Sequence, residues 1–163
     1  MTVGDEFLQK ACDDLLTSLQ TLQLATRAAN GDAEISYAPF VQDQCGFYIF
    51  ISELAKHTHN LRNHPQVSVL LIEPEVNAKN PFARQRLTIN CLAHEVSAVD
   101  SLYEQQLKAM QQRFGAIVEL LRGLPDFSLW VLVPQQGTYV AGFGQARLVD
   151  AQLRLQTASE SGS

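Results

Sequence analysis

Phe47-Tyr48-Ile49-Phe50-Ile51-Ser52-Glu53-Leu54-Ala55-Lys56-His57-Thr58-His59-Asn60-Leu61 is the stretch whose reading decides the fold. Residues 47–51 are aromatic and β-branched, the composition of a buried strand. Residues 54–63 read as a short helix, with Ser52 near its start and Pro65 beyond its end to stop it. A strand that runs straight into a short helix leaves the first N–H groups of that helix without intrahelical acceptors. Those donors and the positive helix end favour an anion. Ser52 and Thr58 add hydroxyls and Lys56 adds a charge, a set able to hold a phosphate monoester. An ordinary capped helix with exposed polar residues fits the same letters, and the local sequence leaves both readings open.

Outward from this stretch the chain reads as short strands with a few helices. Residues 5–20 carry Phe7, Leu8, Ala11, Cys12, Leu15, Leu16 and Leu19 at three- and four-residue spacing, one apolar helical stripe. Residues 22–28 and 34–41 read as strands joined at Asn30-Gly31-Asp32, where Asn and Gly accept positive φ cheaply. Residues 42–46 are a second turn, 67–72 another strand, and 74–81 a loop. Residues 86–94 alternate, with Leu87, Ile89, Cys91 and Ala93 on one side and Arg86, Thr88, Asn90 and His94 on the other. Helices are expected at 97–114 and 115–122, the second ending at Gly123. Three closing strands are expected at 127–133, 138–141 and 145–149, with Gly142-Phe143-Gly144 in the last bend. Seven or eight short, mostly hairpin-linked strands argue for a β-barrel or sandwich with added helices, and against a doubly wound parallel sheet. The expected organisation is one domain over 1–150, with a helix at 5–20 and the barrel at 22–149. A flexible tail follows at 151–163, its end (157–163) disordered or vector-derived.

The whole chain has 163 residues, 46% hydrophobic and 18% charged, enough for one domain with a real core. Its net charge is −5, which argues against a surface built to neutralise nucleic-acid phosphates. No apolar run approaches the roughly 18 residues of a membrane span, and the acidic N-terminus lacks the basic region of a secretory signal. Cys12, Cys45 and Cys91 are odd in number and widely spaced, so the expectation is a cytoplasmic protein with reduced, packed thiols. The charge is uneven. Lys56, Arg62, Lys79, Arg84 and Arg86 against Glu73 and Glu75 make residues 56–86 a +3 segment in an otherwise −8 chain. Such a segment suits a small anionic ligand, and a chance cluster of solvated charges is the plain alternative.

Arg86, on the polar side of its strand, could clamp a phosphate bidentately; Arg84 is its neighbour. His57, His59 and His64 invite a metal reading, but His57 and His59, two apart on the expected helix, face different directions, and no carboxylate or cysteine nearby completes a tetrahedral set, so no metal site is expected. His94 is expected to face solvent. The chain has no Gly-rich phosphate loop and no Gly-x-Ser-x-Gly elbow, which argues against a P-loop, a Rossmann site or a serine hydrolase of that type.

Several segments in order resemble the FMN-binding split barrels related to pyridoxamine 5′-phosphate oxidase, and within them the haem-utilisation branch of the HugZ and HutZ type. They are Leu24-Ala25-Thr26, Asn30-Gly31-Asp32, Ser36-Tyr37-Ala38-Pro39-Phe40-Val41, Phe47-Tyr48-Ile49 and Ser52-x-Leu54-Ala55-Lys56-His57-Thr58-x-Asn60-Leu61. Asn63-x-Pro65-x-Val67-Ser68, Asn80-Pro81-Phe82-Ala83-Arg84-x-Arg86-Leu87-Thr88, Leu124-Pro125-Asp126-Phe127-x-Leu129 and Gly142-Phe143-Gly144-Gln145-Ala146 complete the match.

The resemblance implies a mainly β, α+β fold: a six-stranded antiparallel split β-barrel with peripheral helices. It implies a homodimer with two FMN sites at the interface. By position, Ser36, Tyr37 and Ala38 would lie beside the isoalloxazine ring. Ser52, Lys56, His57 and Thr58 would hold the phosphate, and Arg86 would approach the flavin from a neighbouring strand. An Arg-x-His element expected of the true oxidases is missing at Pro134-Gln135-Gln136-Gly137-Thr138, so pyridoxamine phosphate oxidation is not expected. The axial histidine of the haem branch is missing too, since the last histidine is His94, although Asp126 matches a carboxylate that supports the haem ligand there. Three functions follow from the resemblance: an FMN-dependent oxidoreductase acting on a small molecule, a haem-binding or haem-degrading protein using the same dimer cleft, or a non-catalytic flavin or haem carrier.

Overall fold

The computed structural model describes residues 1–157. The elements run α1 (Val3–Ser18), β1 (Thr21–Arg27), β2 (Ala33–Pro39), β3 (Val41–Asp43), β4 (Gly46–Ser52), α2 (Lys56–Asn63), β5 (Gln66–Ile72), β6 (Arg86–Val96), α3 (Ser101–Phe114), α4 (Ile117–Arg122), β7 (Phe127–Val140) and β8 (Ala146–Val149). Two short 3-10 turns, Glu75–Asn77 and Pro81–Ala83, lie in the β5–β6 loop. Every strand pairing is antiparallel, in the order β2-β1-β5-β6-β7-β4-β3, with β8 added on β7. The two ends of that order, β2 and β3, are separated in the chain only by the buried Phe40. The sheet therefore curls until its ends meet, as a mainly β split barrel. Six strands have seven residues or more; β3 and β8 are short additions to them.

Alternation puts Leu22, Leu24, Val67, Val69, Leu71, Leu87 and Ile89 inside, where they pack with Leu8, Cys12, Leu15 and Leu16 of α1. Helix α1 thus closes the barrel interior. Strand β4 is buried on both faces: Phe47 and Ile49 join that core, while Tyr48 joins a second one with Leu107, Met110, Val118 and Leu129. Burial on both sides is why residues 47–51 read as an unbroken apolar run.

Three expectations are corrected. The strand expected over 34–41 divides at Phe40, because β2 pairs with β1 whereas β3 pairs with β4. The strands expected at 127–133 and 138–141 are one strand, β7, running through Pro134. The register shifts there, Asn90 facing Gln136 and Cys91 facing Pro134, so Gln135 is the extra residue of a bulge that accommodates the proline. The tail expected to be flexible from residue 151 is held over 151–157. Leu153 and Leu155 are buried in the main core, and the Gln9 side chain grips both backbone groups: its Nε2 donates to Leu153 O (3.1 Å) and its Oε1 accepts from Leu155 N (2.8 Å). Residues 158–163, the end of that expected tail, lie outside the described residues.

Candidate functional site

Helix α2 starts without a side-chain cap at Ala55. The N–H groups of Lys56 and His57 have no acceptor among the described residues, as a helix start dictates. Three side chains tie this helix to three strands. The fully buried Thr58 donates its hydroxyl to Ser52 O at the end of β4 (2.5 Å). Asn60 Nδ2 donates to Thr26 Oγ1 of β1 (3.0 Å), and His57 Nδ1 lies 2.8 Å from Ser36 Oγ of β2. Leu61 anchors the same face in the main core.

Between α2 and the edge strand β2 opens a cleft of about 350 Å³, lined by Thr26, Glu34, Ile35, Ser36, Tyr37, Ala55, Lys56 and His57. Lys56 is exposed and makes no ion pair among the described residues. Burial lowers the His57 pKa, which favours the neutral ring. The cleft therefore gathers one free cation, two free backbone donors and a neutral imidazole, a combination suited to an anionic oxygen group.

The structure brings some of the expected site residues together and not others. Ser36, Lys56 and His57 converge on the cleft, and Tyr37 lines its outer rim. Ala38 is buried in the core with Leu22 and Phe40. Thr58 is buried, and its hydroxyl secures the loop before α2. Ser52 accepts from Leu54 N and donates to the Asp126 carboxylate (both 3.1 Å), so an anion beside Ser52 would face Asp126. Arg86 is remote within one chain. Ser36 is in register with Leu24, Val69 and Ile89 across four strands. Arg86 lies three residues along β6 from Ile89, and three strand spacings away, roughly 17 Å over the sheet. It also belongs to the outer face, whereas Ser36 belongs to the inner one. Arg84 is taken up inside its own loop, donating Nε and Nη2 to Glu73 O (3.1 and 2.7 Å).

The sequence reading missed Thr26, Glu34 and Asn60. A signal existed: Thr26 and Glu34 are polar residues at inward positions of otherwise alternating strands, and Asn60 shares the buried side of α2. Cys12 and Cys91 are packed, their thiol pKa values pushed up to about 12 by burial, but Cys45 is exposed on the β3–β4 turn, contrary to the expectation for all three. His94 is exposed on β6. Among the described residues no group of three or more His, Cys, Asp or Glu could hold a metal ion. No described helix is long and apolar enough to cross a membrane. A larger cleft of about 610 Å³ lies on the outer face over β6–β8, lined by Thr88, Asn90, Gln136, Thr138 and Asp150 among others. No basic side chain among the described residues lines it, so it does not share the anion chemistry of the α2 cleft.

Residues 8–141 match the family described as pyridoxamine 5′-phosphate oxidase. The chain belongs to that family. Its relatives in the pyridoxamine 5′-phosphate oxidase family include proteins named for haem. It is 49% identical over 127 residues to the haem oxygenase HutZ of Vibrio cholerae serotype O1, covering 78% of this chain and 72% of that one. The crystal structure of HutZ, there described as a haem storage protein, superposes with a TM-score of 0.79 at 44% identity, over 84% of this chain and 96% of the other. Campylobacter jejuni ChuZ superposes at 0.85 and 29% identity over 97% of this chain; the chain spans 65% of ChuZ. The split barrel and the kinship to haem-named members of the family agree with the resemblance read from the sequence.

Proposed function

We propose that the α2 cleft binds the anionic end of a planar redox cofactor, that this cofactor is FMN, and that the chain is a flavin-dependent oxidoreductase acting on a small molecule. The observation that carries this reading is the meeting of Lys56, the free Lys56 and His57 N–H groups and the Ser36–His57 pair in one cleft. A phosphate needs both charge and directed donors, and these residues supply both. When bound, the flavin supplies the electron chemistry, and the protein positions it and excludes water. Arg86 reaches this cleft only from a second copy of the chain, so the reading includes a homodimer with cofactor sites at the interface.

The identity to HutZ favours a second reading, in which the same dimer cleft takes haem, its propionates replacing the phosphate. Absorbance spectra of the purified protein titrated with FMN and, separately, with haemin decide between them. Saturable FMN uptake that Lys56→Ala weakens about tenfold or more supports the first reading. A Soret band without flavin uptake overturns it in favour of haem. Binding of either without turnover of any reductant would make the chain a carrier.

A further inference from the structure

Ser36 Oγ and His57 Nδ1 lie 2.8 Å apart. A neutral imidazole has one donor and one acceptor nitrogen, so this contact and the tautomer of the ring fix one another. The Ser36 hydroxyl has no other partner among the described residues, so Nδ1 is the one acceptor there within reach of its proton. If Ser36 donates to Nδ1, the ring proton is on Nε2. Nε2 has no partner among the described residues, and the ring lines the cleft beside Lys56 and the free helix donors. The opposite tautomer would turn a bare lone pair toward any bound anion.

We propose that Ser36 is a positioning residue: its hydroxyl donates to Nδ1 and locks His57 as the Nε2–H tautomer, which donates a hydrogen bond to the anionic group of the ligand. The proposal rests on the cofactor reading above and adds a role to it. Burial helps by disfavouring the charged ring. The charged groups lining the same cleft are Lys56 of α2 and Glu34 of β2, while β1 contributes only the uncharged Thr26. A donor made this way needs no added proton. The locked tautomer also offers no Nε2 lone pair to iron, so it suits a phosphate or a propionate rather than axial ligation.

The test is the long-range ¹H–¹⁵N spectrum of the histidine rings, recorded on the ligand-free protein above pH 7, with His57 assigned by His57→Gln. A protonated Nε2 with an unprotonated Nδ1 is expected, and Ser36→Ala should convert this to a mixture. Ser36→Ala should also weaken FMN binding about tenfold, with only the small fall in thermal midpoint that the loss of one hydrogen bond brings, and Ser36→Thr, which keeps the hydroxyl, should restore the binding. A protonated Nδ1 in the unaltered protein overturns the proposal, as does cofactor affinity indifferent to Ser36→Ala. If neither FMN nor haemin binds, the cofactor reading fails separately. Inorganic phosphate then decides the proposal: a shift of the His57 Nε2 resonance supports it, and no shift overturns it.

Discussion

His57 is half-buried, and desolvation lowers its pKa from the ordinary value near 6.5. The unfolded chain takes up a proton at this ring around that ordinary value, while the folded chain resists until lower pH. Between the two values the unfolded state binds more protons, so acidification favours unfolding. The stabilising contribution is present above about pH 6.5 and is lost as pH falls to the folded value. The urea midpoint should therefore drop as pH is lowered from about 7 to about 5.5, and His57→Gln should flatten that slope. An equal slope in the variant would place the effect elsewhere. Asp5 and Glu53, whose pKa values are lowered by Thr2 and by Arg62, act in a more acidic window and do not confuse the comparison. At this scale the sequence was half legible. Residue type identified Lys56 and His57. It did not show that Ser52 and Thr58 spend their hydroxyls on Asp126 and on the backbone, because a hydroxyl looks the same whether it faces a ligand or a carbonyl.

Among the elements, the segment after β8 depends on α1 through the Gln9 clamp. Both amide atoms of Gln9 are spent on backbone groups of Leu153 and Leu155, and Leu153 adopts φ +61°, a left-handed conformation that an L side chain rarely holds unaided. Burial of Leu153 and Leu155 in the barrel core offsets that strain. Gln9→Ala leaves a buried N–H and a buried carbonyl without partners, a cost of about 1–3 kcal/mol. The expected result is a matching loss in urea stability together with faster exchange of the Leu155 amide. Unchanged exchange would show that the two leucines alone hold the segment. Elements with a strong period, such as α1 and β6, were readable from the chain, as was the unbroken apolar run of β4. This strap was not, because Ala151–Leu155 has no period and its order comes from a glutamine 144 residues upstream of Leu153. The continuity of β7 was hidden for the same kind of reason: a proline inside a strand is tolerated only at an irregularity, and the bulge that provides one depends on the pairing partner.

Across the whole molecule, the basic segment 56–86 divides between two places that one chain keeps apart. Lys56 is at the α2 cleft, and Arg86 is on the outer sheet face at the far ends of β5 and β6, paired with Ile72 and Val140. That outer face carries a row in register across six strands, Tyr37, Gln23, Leu70, Thr88, Thr138 and Leu148, with Tyr37 and Leu148 largely exposed. A two-fold dimer through this side presents the same patch from both copies. It would let Arg86 of each chain approach the cleft of the other. The arrangement makes a complementation experiment decisive. Lys56→Ala and Arg86→Ala homodimers should each bind FMN weakly. When the two are unfolded together and refolded, a mixed dimer has one cleft with both lesions and one with neither. Random pairing then restores roughly one site in four to full affinity, visible as a tight phase in the FMN titration. If both residues served the same chain's cleft, no mixed dimer would contain an intact site and the tight phase would be absent. A protein that stays monomeric on a sizing column would end the shared-site argument as well, since Arg86 would then have no route to Lys56.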